Sequence, residues 1–162
     1  MRAIPGSYTV RLTAGGVVLE QQVTVRVDPR VRTTPDDWQA WQREARTIER
    51  TECTLRRAVA SLAVVERQLA DAQSRATGAP ARDEIARLGR ELRPVVLALR
   101  GDPTDPGHVN LPGRVNWLTI QVGNNSGRPT AAQAEWIAIY AKQTAEVVST
   151  LNALLARARA LG

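Results

Sequence analysis

The chain's one histidine, His108, stands in the loop sequence GDPTDPGHV, with Asp102 and Asp105 close by. An imidazole beside two carboxylates can hold a metal ion or pass a proton, but it needs an orienting partner or further ligands. With Asp102 and Asp105 it would make at most a weak metal site, and the favoured reading of His108 is a solvated loop residue. No Ser-His-Asp arrangement is marked by more than composition. Asp36 and Asp37 are adjacent carboxylates of the kind that acid–base chemistry uses. They fall in a first helical turn, where the positive helix end already accounts for them. Cys53 is the only cysteine, so no internal disulfide or cysteine cluster can form. It falls mid-helix beside an apolar stripe and reads as a small filler rather than a nucleophile. The glycines of GDPTDPG lack the lysine and following helix of a phosphate-binding loop. No catalytic, cofactor-binding or metal-ligating residue emerges, and no enzyme is read from the chain.

The tryptophans are the next candidates. Trp38 and Trp41 lie three residues apart on one helical face, and Trp117 and Trp136 come from two later helices. Exposed indoles could form a platform for sugars or bases. The chain has no Phe, so tryptophan is its natural large filler, and packing where helices meet the N-terminal segment is the favoured reading. Asn124-Asn125-Ser126 matches a glycosylation triplet, a pattern common by chance. The formal net charge is +6, with five basic residues against two acids in 1–34 and again in 110–162. The excess is split between the ends, and Arg56-Arg57 and Arg157 with Arg159 read as solvated faces, so nucleic-acid binding is disfavoured.

Behind these residues stand two kinds of element. In PGSYTVRLTAGGVVLEQQVTVRVDPR, Tyr8, Val10 and Leu12 alternate with polar residues, as do Val23, Val25 and Val27. That is the period of half-buried strands, with Gly15-Gly16 supplying the turn. Everything later reads as helix. Thr34 caps a helix that runs to Ala76, with Pro35 in its first turn. Its inward stripe is Trp38, Trp41, Ala45, Ile48, Leu55, Val59, Leu62 and Leu69, interrupted by Glu52 and Glu66, with Glu52–Arg56 and Asp71–Arg75 as outer pairs. A second helix spans about 81–100, with Pro94 a predicted kink. Asn110 caps a third, and Thr130 with Gln133 forms a capping box for the last. The predicted fold is mainly α: an up-down-up-down four-helix bundle (33–162) with a long first helix, preceded by an N-terminal β-hairpin (1–32). No run approaches the ~20 apolar residues of a membrane span, and MRAIPGSYTV has no apolar core of a signal peptide.

A lone hairpin is marginal in water, and this one has an apolar face to hide. PGSYTVRL, a Gly-Gly turn and a Val-rich strand resemble the last two strands of an immunoglobulin-like sandwich, with Tyr8 placed as a tyrosine corner. Asp28-Pro29-Arg30, Leu111-Pro112 with Arg114 and Asn116, and Pro129-Thr130 with Gln133 extend the likeness. The whole chain resembles the C-terminal region of large bacterial proteins built on sortilin-like BNR/β-propeller repeats, often labelled glycosyl hydrolases. The resemblance implies a C-terminal fragment of a longer, exported parent, with Met1 not the true start; no residue of the propeller's site can be carried over.

The expected function is a non-catalytic structural or protein-interaction module without cofactors. Its candidate surface is Tyr8, Val10, Leu12, Val23, Val25, Trp38 and Trp41, and its partner is the rest of the parent or a second copy through the hairpin. The alternatives are an accessory glycan-binding tail and a basic nucleic-acid binder. The compartment is left open by the residues themselves.

Overall fold

The computed structural model describes residues 3–105, 107–125 and 127–161. Met1, and Ser126 of the glycosylation triplet, lie outside the described residues. Two antiparallel strands, β1 (Gly6–Ala14) and β2 (Val17–Val25), precede four helices: α1 (Pro35–Arg75), α2 (Ala79–Arg100), α3 (Leu111–Asn124) and α4 (Ala131–Arg159).

The hairpin register pairs Ala14 with Val17 and Gly6 with Val25. The two residues between have φ of 56° and 80°, which only glycine adopts without strain. Positive φ at both positions matches the right-handed twist of the strands.

Three of the four helices, α1, α3 and α4, start on a side-chain cap that the sequence announces, whereas α2 starts from Gly78 without one. At α1 the Thr34 hydroxyl accepts from the Asp37 amide at 3.2 Å, while the Asp37 carboxylate accepts from the Thr34 amide at 3.0 Å. The same reciprocal box joins Thr130 and Gln133 at α4, and Asn110 accepts from the Gly113 amide at 2.8 Å at α3. These bonds satisfy amides that have no partner inside the helix. Gly101 ends α2 at φ 88° and donates its amide to the Leu97 carbonyl at 2.9 Å.

Helix directions follow from which residues meet. Along α1, Trp41 meets Val122, Glu52 meets Thr119, Val59 faces Pro112 across a groove, and Glu66 meets Arg100. Ascending α1 therefore means going backwards through α3 and then α2. At α4, Val147 lies beside Leu97, and Arg157 reaches Glu84 and Glu91. The bundle thus departs from strict alternation: α2 and α3 descend one after the other against α1, and α4 climbs with it. Length explains the path. At 41 residues α1 is about 61 Å long, and α2 and α3, at 22 and 14 residues, are needed in series to line it.

The core runs the length of this bundle through Ile48, Leu55, Leu62, Leu88, Leu118 and Leu151, all buried. On α3 the buried set is Leu111, Val115, Leu118 and Val122, as the spacing predicts. On α1 the buried line shifts to Ala58, Val65 and Ala72, leaving Val59 and Leu69 only partly covered. Glu52 and Glu66, which break the stripe, face other helices. Glu52 accepts from the Thr119 hydroxyl at 2.5 Å, and Glu66 pairs with Arg100 at 2.8 Å. The expected Glu52–Arg56 pair gives way to the Thr119 bond, and Arg75 bonds the Asp71 carbonyl rather than its carboxylate. Pro94 sits on the exposed side of α2, which continues past it to Arg100. No helix of the described residues is long and apolar enough to cross a membrane.

Candidate interaction surface

Cross-strand partners share a face of a sheet. One face of the hairpin therefore carries Tyr8, Val10, Leu12, Ala14, Val17, Leu19, Gln21, Val23 and Val25. The other carries Ser7, Thr9, Arg11, Thr13, Val18, Glu20, Gln22 and Thr24. The polar face satisfies itself: Arg11 donates to Glu20 at 2.6 Å, and the Gln22 amide donates to the Thr9 hydroxyl at 2.8 Å.

The apolar face is left bare. Val10, Leu12, Val17 and Leu19 are each more than half exposed, and Val23 is 42% exposed. Neither strand packs along any helix among the described residues. The bundle's tryptophan end does not close over the face; it meets only the hairpin's base. There Ile4 packs against the core, and a pocket of about 110 Å³ is lined by Pro5, Val25, Val27, Val31 and Trp38. The Tyr8 hydroxyl donates to the Ile4 carbonyl at 2.6 Å, the back-bond expected of a tyrosine corner. Asp28 fixes the exit by accepting from the backbone and side chain of Arg30. That guanidinium, and then the Arg30 amide, hold the Asp28 carboxyl below its ordinary range.

The candidate surface residues consequently divide. Tyr8, Val10, Leu12, Val23 and Val25 lie on one face, and Trp38 lies half-buried at its foot. Trp41 is a correction. It is 2% exposed, its indole nitrogen donates to the Val122 carbonyl at 2.9 Å, and its ring meets Trp38 edge-on at 6.2 Å. It is core and offers no surface. Val17 and Leu19 belong to the bare face and were missed. The pattern for finding them is the register itself, since a two-residue turn places Val17 and Leu19 opposite Ala14 and Leu12.

Trp117 and Trp136 are a second correction. Expected in the core, they are 56% and 47% exposed. Trp136 stacks on Tyr140 at 5.4 Å, and Tyr140 lines a groove with Trp117 and Ile120. The signal was present: Trp117 and Ile120 fall off the 111, 115, 118, 122 stripe of α3.

The groups considered for chemistry have structural duties. Asp37 serves the α1 cap and receives Arg128 at 3.0 Å, and the Thr34 amide and hydroxyl, then Arg128, keep its carboxyl below the ordinary range. Asp102 accepts from the Thr104 amide and hydroxyl, and Asp105 from the Gly107 amide. His108 is exposed and Cys53 half-buried. Comparison with protein-family models, with characterised proteins and with solved structures finds no match.

Proposed function

We propose that the chain is a non-catalytic interaction module, in which a helical bundle holds a β-hairpin out as the closing piece of a β-sandwich in a larger, propeller-containing parent. The supporting observation is the asymmetry of the hairpin: one face pairs its own polar groups, while the other leaves a row of Val and Leu side chains in water. Such a face marks an interaction site.

Size favours further strands over a second copy as the cover. Nine residues per strand make a ribbon about 30 Å long and about 10 Å wide, a footprint of roughly 300 Å². A stable complex between separate molecules buries about 800 Å² on each partner. A hairpin pressed on its twin falls short, whereas a sheet tethered in the same polypeptide does not need that area to stay in place. The Tyr8–Ile4 bond supports the same reading, because it braces the strand entry where a sandwich turns its corner.

Light scattering and limited proteolysis of the isolated chain test this. The expected result is weak, concentration-dependent association and cleavage within residues 6–25, both suppressed when the parent's preceding strands are supplied. A clean monomer at micromolar concentration with a protease-resistant hairpin overturns it.

A further inference from the structure

The outer side of α1 keeps a row of charge that the bundle's own packing does not use. Arg43, Arg46, Arg50 and Arg57 fall within about 60° of arc on a helix that turns about 100° per residue. All four are exposed. None forms an ion pair among the described residues, whereas Arg87, Arg100, Arg128 and Arg157 elsewhere in the bundle all do. Arg50 reaches only the Thr47 hydroxyl, at 3.3 Å. The acids between Arg46 and Arg57 are turned away. Glu49 and Glu52 line the groove toward α3, where Glu52 is held by Thr119. Like charges three and four residues apart weaken a helix, and this row has no compensating carboxylate within the described chain.

The row belongs to a seam with alternating steps of three and four residues. Cys53, Ala60 and Val64 fill the positions between and beyond the arginines, and Ala60 and Val64 are exposed. From Arg43 to Val64 the seam runs about 31 Å, or about three heptads. On one flank Thr47 and Thr54 bond back to the Arg43 and Arg50 carbonyls at 3.1 and 2.9 Å and add no charge.

This geometry narrows the occupant. A partner helix meets a three-four seam at every step, because both helices share one pitch. Arginine at repeated seam positions calls for carboxylates opposite. A second copy would set Arg against Arg, in either direction, and is refused. Single-stranded nucleic acid would find no ring on the seam to stack on, since Trp38 and Trp41 of the same helix pack toward the core. A membrane surface would find Val64 as its one large apolar anchor. We propose that the outer seam of α1 docks an acidic helix of a partner protein, with Glu or Asp at three-four spacing set against Arg43, Arg46, Arg50 and Arg57. This surface lies apart from the bare hairpin face and stands whether or not the hairpin closes a sandwich.

The test is fluorescence anisotropy of the full chain with a labelled helical peptide of about three heptads that carries Glu at the seam positions. A control peptide has the same composition, with its glutamates moved off the three-four spacing. Saturable binding on the order of 10–100 µM at about 50 mM salt is expected. The control peptide and Arg50→Glu should each weaken it at least about fivefold, and Arg46→Ala about threefold. Raising salt to about 300 mM should weaken it at least about fivefold. Arg90→Glu, which reverses an exposed arginine on α2, should leave it within about twofold. A peptide with one seam Glu changed to Lys should bind the Arg50→Glu chain more tightly than the unaltered chain, a gain that misfolding does not produce. Circular dichroism of each variant checks the fold. No saturation by about 1 mM, equal binding of both peptides, or equal loss in Arg50→Glu and Arg90→Glu overturns the proposal. So does tighter binding of single-stranded DNA or of phosphatidylserine vesicles than of the peptide, which would assign the row to another class of anion.

Discussion

The bundle and the hairpin use the same alphabet of Val and Leu to opposite ends. In the bundle, Leu62, Leu88, Leu118 and Leu151, one from each helix, belong to one core and lose their water. In the hairpin, Leu12 and Leu19 sit directly opposite each other and stay more than half exposed. The difference lies in layers. A helix stripe finds cover on the other helices, while two strands form a single layer with nothing above it. An apolar pattern therefore predicts a face and not its partner.

The largest effect should come from emptying the core. Leu62→Ala is expected to cost about 2–5 kcal/mol in urea unfolding, while Leu12→Ala, equally apolar in sequence, should fall within about 0.5 kcal/mol. A comparable loss at both positions would break the contrast and mean that the hairpin is covered. The tryptophans sharpen it. Trp41→Ala should cost about 3–5 kcal/mol, since it opens a cavity and strands the Val122 carbonyl, whereas Trp117→Ala should cost under about 0.5 kcal/mol. Next come the caps: Thr34→Ala and Thr130→Ala should each lower stability by about 1 kcal/mol.

A smaller effect is expected from pH. Arg157 holds the Glu91 and Glu84 carboxyls below their ordinary range, with Arg87 the larger influence on Glu84, and Thr34 and Arg128 do the same for Asp37. A carboxylate depressed in the folded state stabilises above its unfolded pKa, and that contribution is lost as pH falls through the folded value. Bundle stability should therefore decline as pH drops below the ordinary carboxylate range, and Arg157→Gln should flatten that acid limb slightly. Because these groups are exposed, the change is small. The smallest effect on stability should come from Leu19→Lys, which is expected instead to reduce self-association measured by light scattering.

Much of this was legible because it is local. Thr34, Asn110 and Thr130 each sit where a hydroxyl or amide can reach a helix amide a few residues on, and each does so. The strand register followed from two glycines. What needed three dimensions was the assignment of shared features. Trp41 and Trp117 are both tryptophans on amphipathic helices, yet one faces α3 and the other faces water, and that depends on which side of α3 the remaining helices take. Likewise, the descent of α3 below α2 depends on the length of α1 rather than on any residue of the loop between them.

That stacked path has a consequence for cutting the chain. Residues 101–110 join two helices that are each clamped independently against α1 and α4. A protease nick in this connector should leave both fragments associated, migrating as one species until denatured. The exposed stretch 103–105 of this connector, away from Gly101 and the Asn110 cap, is where foreign sequence could be inserted at small penalty, making it a natural place to attach a probe or to split the molecule into complementing halves.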